Sequence, residues 1–150
     1  MKDIASIHTP VLLDKCVGLV CGGLPGTESP VIVDCTLGLA GHASAFLQAN
    51  TDAQLIGIDR DRQALDLASR RMESLGLAGR FTPVHAAFDE VSDALGQLGI
   101  SHIDAAFMDL GLSSLQIDED ARGFFYSHDA PLDMRMDMRF KKTAADIVNK

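Results

Sequence analysis

Apolar and polar positions follow two periods in turn along this chain. The run over 31–35 is almost continuously apolar, the pattern of a central parallel strand, and further strands are expected over 54–58, 81–85 and 103–108. Between them the spacing turns helical. Over 62–75, Leu65, Ala68, Met72 and Leu75 recur at intervals of three and four and predict a core stripe, with Gly76 as the C-cap. A helix over 10–20 is expected ahead of the first strand, with Thr9 as its N-cap and Pro10 in its first turn. It would bury Leu12, Leu13, Cys16, Leu19 and Val20 and stop at Gly22-Gly23. Shorter helices are expected over 43–48 and 91–98, the latter closed by Gly99. The alternation predicts an α/β fold with a parallel-sheet core. From Leu115 no period fits until 143–150, which reads as the start of another helix.

The first strand runs into Asp34-Cys35-Thr36-Leu37-Gly38-Leu39-Ala40-Gly41-His42. A strand, a small-residue turn and a helix form half of a nucleotide-binding unit, because small residues let the backbone approach a ligand closely. Asp59 ends the second strand, where a carboxylate can accept both hydroxyls of a ribose. Asp34 falls near the C-terminal end of its strand, on the sheet edge where open α/β folds bind ligands. His42 suits either a helix-start contact or a ligand contact, and Phe88 either a core position or an apolar wall for a base. The fourth strand delivers Asp109-Leu110-Gly111-Leu112-Ser113-Ser114, a carboxylate, a glycine and two hydroxyls at the same edge. The irregular stretch beyond it is long for a connection and reads as a functional loop, with Met134 and Met136 as candidate anchors.

Composition narrows this picture. The 150 residues are enough for one domain with a sizeable core. A net charge of -8, no Trp and one Tyr argue against non-specific gripping of a phosphate backbone by this stretch alone. Three cysteines, Cys16, Cys21 and Cys35, show no metal spacing and imply no disulfide framework. No run has membrane-spanning length and no secretory leader is visible, so a cytoplasmic protein without membrane contact is expected. Asp129, Asp133 and Asp137 could be imagined around Mg²⁺. The interleaved Arg135 and Arg139 offer ion pairs instead, and no metal is assigned.

Six stretches together carry a resemblance: His8-Thr9-Pro10-Val11-Leu12-Leu13, the 34–42 turn, Gly57-Ile58-Asp59-Arg60-Asp61, the 109–114 segment, Arg122-Gly123-Phe124 and Pro131-Leu132-Asp133-Met134-Arg135-Met136-Asp137. The chain resembles the N-terminal portion of the bacterial small-subunit ribosomal RNA cytosine-N4 methyltransferases, over essentially all its residues. The resemblance implies a Rossmann-like S-adenosylmethionine-dependent methyltransferase fold, cut short after four βα steps. Residues 1–114 would be the N-terminal part of the methyltransferase domain. Residues 115–150 would be a motif-bearing loop and the start of an inserted helical region. Partners implied are S-adenosyl-L-methionine, the small-subunit ribosomal RNA and a missing C-terminal portion of the chain itself. The sequence departs from the family pattern at Leu37, Leu39, Ala43, Leu115, Phe125 and Ala130, none of them a charged motif position.

Carried over by position, the resemblance sets Ala40, Gly41 and His42 against the amino-acid part of the cofactor, Asp59 on its ribose and Phe88 beside its adenine. Asp109 and Gln116 complete that pocket. Asp109 is also the candidate catalytic acceptor, since a carboxylate can take hydrogen bonds from a cytosine N4 amine and orient its lone pair. Ser113, Ser114 and Asp133 join the substrate side. Arg122 and Arg135 would hold flanking phosphates, and Phe124 or Tyr126 would stack on a base taken out of its helix. Two other classes stay open on the residues alone: a dinucleotide-dependent oxidoreductase, which shares the turn and Asp59, and a cofactor-binding module without catalysis. The fragment by itself is expected to be catalytically silent.

Overall fold

The four expected strands pair into one all-parallel sheet of order β3-β2-β1-β4, built from β1 (Val31–Asp34), β2 (Gln54–Asp59), β3 (Phe81–His85) and β4 (Ala105–Phe107). The computed structural model describes residues 10–26, 28–113, 116–117, 119–127 and 129–149. They divide into two compact units, the first ending at Asp109 and the second beginning at Leu110. The sheet belongs to the first unit. Its register sets Asp34 beside Gly57 and Phe107, and Asp59 beside His85, so the strand ends that carry carboxylates share one edge.

Both faces of the inner strands β1 and β2 are covered, which is why they read as nearly unbroken apolar runs, whereas β3 at the sheet edge exposes Thr82 and Pro83. On one face Ile32 and Leu55 pack with α1 (Leu13–Gly22), α2 (Gly41–Ala49) and α3 (Arg62–Ser74) through Cys16, Val17, Val20, Phe46, Leu47, Leu65 and Met72. On the other, Val33, Ile56 and Ile58 pack with α4 (Val91–Gln97) through Ala94 and Leu95. No helix among the described residues is long and apolar enough to cross a membrane.

Three local expectations change. α1 begins at Leu13, and Leu12 and Leu19 are 68% and 70% exposed rather than buried. At about 100° per residue the seam against α2 runs through 13, 16, 17, 20 and 21, which turns 12 and 19 away. The Thr9 cap lies outside the described residues. α3 stops one residue early: Leu75 is its exposed C-cap, Gly76 turns the chain at φ 71°, and buried Leu77 takes the core place expected of Leu75. β4 is shorter than 103–108: ahead of it the Asp104 amide still donates to the Val31 carbonyl at 2.8 Å, but the return bond goes to a side chain. The Asp104 carboxylate accepts the Val31 amide at 2.7 Å.

One brace has no counterpart in the sequence pattern. The Arg80 guanidinium donates to the carbonyls of Leu47, Asn50 and Ala53 at 2.8, 2.9 and 3.1 Å, closing the C-terminal end of α2 and the entry to β2. Helix-end carbonyls lack intrahelical donors, and a fixed cation there meets both the hydrogen-bond need and the dipole. Arg80→Ala is expected to lower stability by about 2 kcal/mol, the scale of hydrogen bonds to a charged group. Urea unfolding checks this, and Arg80→Lys should recover only part of the loss because a single ammonium cannot span three carbonyls.

Candidate functional site

The site grows from the end of β1. Cys35 donates the last ladder bond across to the Phe107 carbonyl, at 2.9 Å, and the chain then leaves the sheet. It folds back at once: Leu37 N–H donates to Ile58 O at 3.0 Å and Ala40 N–H to Leu37 O at 2.9 Å. Gly38 and Ala40 both take left-handed conformations, φ 51° and 59°, and Ala40 is the N-cap of α2. A left-handed alanine is strained, and strain of this kind survives only where neighbours over-determine it. Here they do. Gly41 lies so close to Pro10 that a Cβ on it would come within 2.5 Å of the proline Cγ.

Asp59 holds the turn in place. Its Oδ2 accepts the Gly38 amide at 2.8 Å and its Oδ1 the Asp61 amide at 2.9 Å. Burial pushes its pKa up, the Asp61 and Gly38 amides pull it down, and the Asp61 charge adds to the rise. The Arg60 amide also pulls it down, so backbone donors surround this carboxylate, whose oxygens can accept more than one bond each. Asp61 in turn caps α3, accepting the Gln63 amide at 3.0 Å.

Asp34 is 1% exposed. Its Oδ1 accepts the Thr36 amide at 3.0 Å and the Thr36 hydroxyl at 3.5 Å, and that hydroxyl accepts the Asp109 amide at 2.7 Å. Burial drives the Asp34 carboxyl from its ordinary 3.8 to about 7; the Thr36 hydrogen bonds oppose the rise, and the charges of Asp59 and Asp109 add to it. The sequence pointed to the sheet edge and to Asp34's place on it but assigned neither Asp34 nor Thr36 a role. The available signal was a carboxylate at the end of an otherwise apolar strand.

His42 is buried, with Nε2 3.0 Å from the Val11 carbonyl, so Nε2 carries the proton. Its Nδ1 stands 3.9 Å from Asp109 Oδ2, and its ring lies 4.7 Å from that of Phe107. The Asp109 side chain is half exposed. Phe88 opens a short 3-10 turn after β3 and is 48% exposed. The first unit therefore brings Asp34, Thr36, Ala40, Gly41, His42, Asp59 and Asp109 together in one bonded edge, and places Phe88 just beyond the end of β3.

The second unit holds the other candidates. Gln116 is buried; its Oε1 accepts the Ser113 amide at 3.1 Å and its own amide donates to Ser113 O at 3.0 Å. Ser114 lies outside the described residues, as do His8 and His128. Arg122 Nη2 donates to the carbonyls of Arg135 and Met136 at 3.3 and 3.1 Å, with its guanidinium 6.0 Å from the Phe124 ring. Asp133 and Arg135 form a two-pronged pair at 2.8 and 2.7 Å, which pulls the Asp133 carboxyl down to about 2. Asp137, buried, pairs with Arg139 at 2.6 Å. The two aspartates thus spend oxygens on arginines. Gly123, at φ 71°, is required: a Cβ there would fall 2.0 Å from Pro131 O. Met134 is exposed, so the segment is held by these polar forks rather than by a buried Met134. Tyr126 is 97% exposed, with its ring stacked on Phe125. Thr143 caps α5 (Ala144–Val148), accepting the Asp146 amide at 3.2 Å.

Residues 5–150 match the MraW methylase family. A ribosomal RNA small subunit methyltransferase H of Bifidobacterium adolescentis is 61% identical over 148 residues, covering 99% of this chain and 43% of that protein. The protein of the same name from Bifidobacterium longum subsp. infantis is 62% identical, covering 99% of this chain and 41% of its own length. The chain thus spans well under half the length of these relatives. Among solved structures, a methyltransferase from Geobacter sulfurreducens superposes with a TM-score of 0.54 at 22% identity, covering 69% of this chain and 50% of that one, a likeness of fold.

Because the folded-state pKa of Asp34 lies above the unfolded one, its contribution to stability is full below about pH 3.8 and is lost as pH rises to about 7. Asp34→Asn should remove that dependence, flattening stability between those values by up to about 1.4 kcal/mol per pH unit relative to wild type. Denaturant titrations across the window read the difference; parallel wild-type and variant curves would mean that Asp34 does not titrate there.

Proposed function

The chain belongs to the MraW methylase family, and on that premise we propose that the intact protein transfers a methyl group from S-adenosyl-L-methionine to small-subunit ribosomal RNA, at the exocyclic N4 of a cytidine. The observation that supports this reading is the meeting, at one sheet edge, of a ribose acceptor, a strained backbone turn and a half-exposed carboxylate. Asp59 is held by backbone amides and is proposed to accept the ribose hydroxyls on its remaining acceptor capacity. The first turn of α2, at Ala40, Gly41 and His42, offers amides and a positive dipole end to a carboxylate. Phe88 presents half of its side chain as an apolar wall for a purine. Gln116 is proposed as a further cofactor contact on the family resemblance alone. The residues present fit the cofactor in these terms.

When bound, the cofactor supplies a methyl group activated on a positive sulfur. The chain's own contribution is position and charge. A cytosine N4 amine is a poor nucleophile because its lone pair is delocalised into the ring. Asp109 accepts a hydrogen bond from an N4 hydrogen, turns the lone pair toward the methyl carbon and takes the proton that the amine loses on methylation. The Asp109 backbone is fixed to Thr36, so the carboxylate pivots from a defined point. On the substrate side, the exposed Tyr126 ring is a stacking surface and Phe124 lies beneath Arg122. Ser113, Ser114, Asp133 and Arg135 complete that side in this proposal, with Arg122, Asp133 and Arg135 shaping the loop that carries the ring.

Asp59→Ala is expected to weaken cofactor binding by about 1.5–3 kcal/mol, the worth of a charge-assisted contact. Calorimetry on the intact protein reads it, and equal affinities would remove the ribose assignment. Asp109→Asn keeps the shape and loses the charge. Single-turnover methylation of undermethylated small subunits should fall by about a hundredfold, while stability shifts by no more than about 1 kcal/mol. Cofactor binding without any transfer by wild type would move the protein to a non-catalytic binding role.

A further inference from the structure

We propose that Thr36 is a positioning residue for the methyl-transfer step: its hydroxyl is the joint through which the 36–42 turn sets the place of the Asp109 backbone. The inference rests on the reading of this edge as a methyl-transfer site and adds a residue that reading does not require.

β1 and β4 pair in regular parallel register as far as Asp34 and Phe107, and Cys35 donates to the Phe107 carbonyl. In an evenly spaced parallel ladder the next bond would run from the Asp109 amide to the Cys35 carbonyl. Instead the Asp109 amide donates to the Thr36 side-chain oxygen at 2.7 Å. A side chain of the ligand-side turn has replaced the strand backbone as the acceptor. The consequence is mechanical. A ladder bond would tie Asp109 to the rigid sheet, whereas this bond ties it to a segment with left-handed residues at Gly38 and Ala40.

The hydroxyl is itself oriented. Its oxygen receives the Asp109 amide, so its proton is left to point elsewhere, and Asp34 Oδ1 is the acceptor beside it at 3.5 Å. Asp34 also fixes the Thr36 backbone, through the amide bond at 3.0 Å. Asp34 is buried and cannot swing out to solvent without leaving the sheet end. The turn is held from its other side by Asp59 through Gly38. A group that seats itself on Asp59 and the 38–42 backbone therefore acts on a segment whose neighbour, Thr36, carries Asp109. The effect expected is on the rate of transfer rather than on cofactor affinity, because Thr36 offers its hydroxyl to Asp34 and Asp109.

The test uses the intact protein with Thr36→Val, which keeps the branched shape and removes the hydroxyl, and Thr36→Ser, which keeps the hydroxyl and loses the methyl. Thr36→Val should lower kcat by about tenfold or more, roughly 1.4 kcal/mol of barrier. The KM for cofactor and the calorimetric Kd should stay within about threefold, and Thr36→Ser should lie within about threefold of wild type in kcat. A second reading needs no turnover. The Asp109 amide resonance should shift when the demethylated cofactor product is added, and that shift should fall by at least about half in Thr36→Val but not in Thr36→Ser. Wild-type kcat in Thr36→Val overturns the proposal. So does an equal fall in both variants, which would mark a packing role, or a change in cofactor Kd with kcat unchanged, or a product-induced Asp109 shift in Thr36→Val equal to that of wild type. If Thr36→Val does not fold, Thr36→Ala takes its place in both measurements. An inactive wild type would instead count against the methyl-transfer reading, and the amide measurement would still judge the joint.

Discussion

The Asp59 carboxylate, accepting one amide from the turn after β1 and one from the start of α3, is the constraint on which the rest of the edge depends. The turn between β1 and α2 holds a glycine and an alanine at positive φ, a backbone that would relax if left alone. Two amide donors also resolve the problem of Asp59 itself. Burial makes its charge costly, and those hydrogen bonds are what draw its pKa back. The same two bonds therefore shape the turn and lead into α3 through Asp61.

A second carboxylate does comparable work by the opposite physics. Asp34 sits in the sheet where water does not reach, with a pKa near 7, and its partners are an amide and a hydroxyl of one residue. Through Thr36 that buried group is connected to the exposed Asp109, two residues after β4 ends. The sheet thus hands over from backbone ladder to side-chain hydrogen bonds at the point where chemistry is proposed to begin. Regular strands supply rigidity, and the departures from regularity at their ends supply the functional groups.

The second unit is built on different terms. The described residues of 120–127 and 129–143 have little regular structure, and their order comes from polar forks: Arg122 on two carbonyls, Asp133 with Arg135, Asp137 with Arg139. The Gly123 Cα lies so close to the backbone of Pro131 and Asp133 that a Cβ would collide with it and only a glycine fits. Ala144 and Ala145 amides then donate back to the carbonyls of Asp133 and Leu132. An internally hydrogen-bonded loop of this kind can present an exposed ring such as Tyr126 without an apolar core of its own.

β1 and β2 were legible in the sequence because burial on both faces writes a nearly unbroken apolar run, and the carboxylate edge because a strand end writes its own punctuation; the less buried edge strands β3 and β4 were legible from their place in the alternation of strands and helices. α3 was legible in its stripe through Met72, and the Asp109 segment in its cluster of carboxylate, glycine and hydroxyls. The face that α1 turns to α2 was not legible: leucines at 12, 13, 19 and valines at 17 and 20 surround that helix, and only its partner selects which are covered. Nor was the cap that Arg80 forms on a helix thirty-odd residues earlier, at Leu47, because no local spacing records a side chain that reaches across the fold. The same reason separates Asp34, Thr36 and Asp109. The chain by itself determined that a buried strand ends in a carboxylate and a hydroxyl, since those follow from residue order. Only the tertiary structure decided that this hydroxyl would accept the amide of a residue 73 positions away, because a hydrogen bond needs its two atoms within reach, and that distance is a property of the fold.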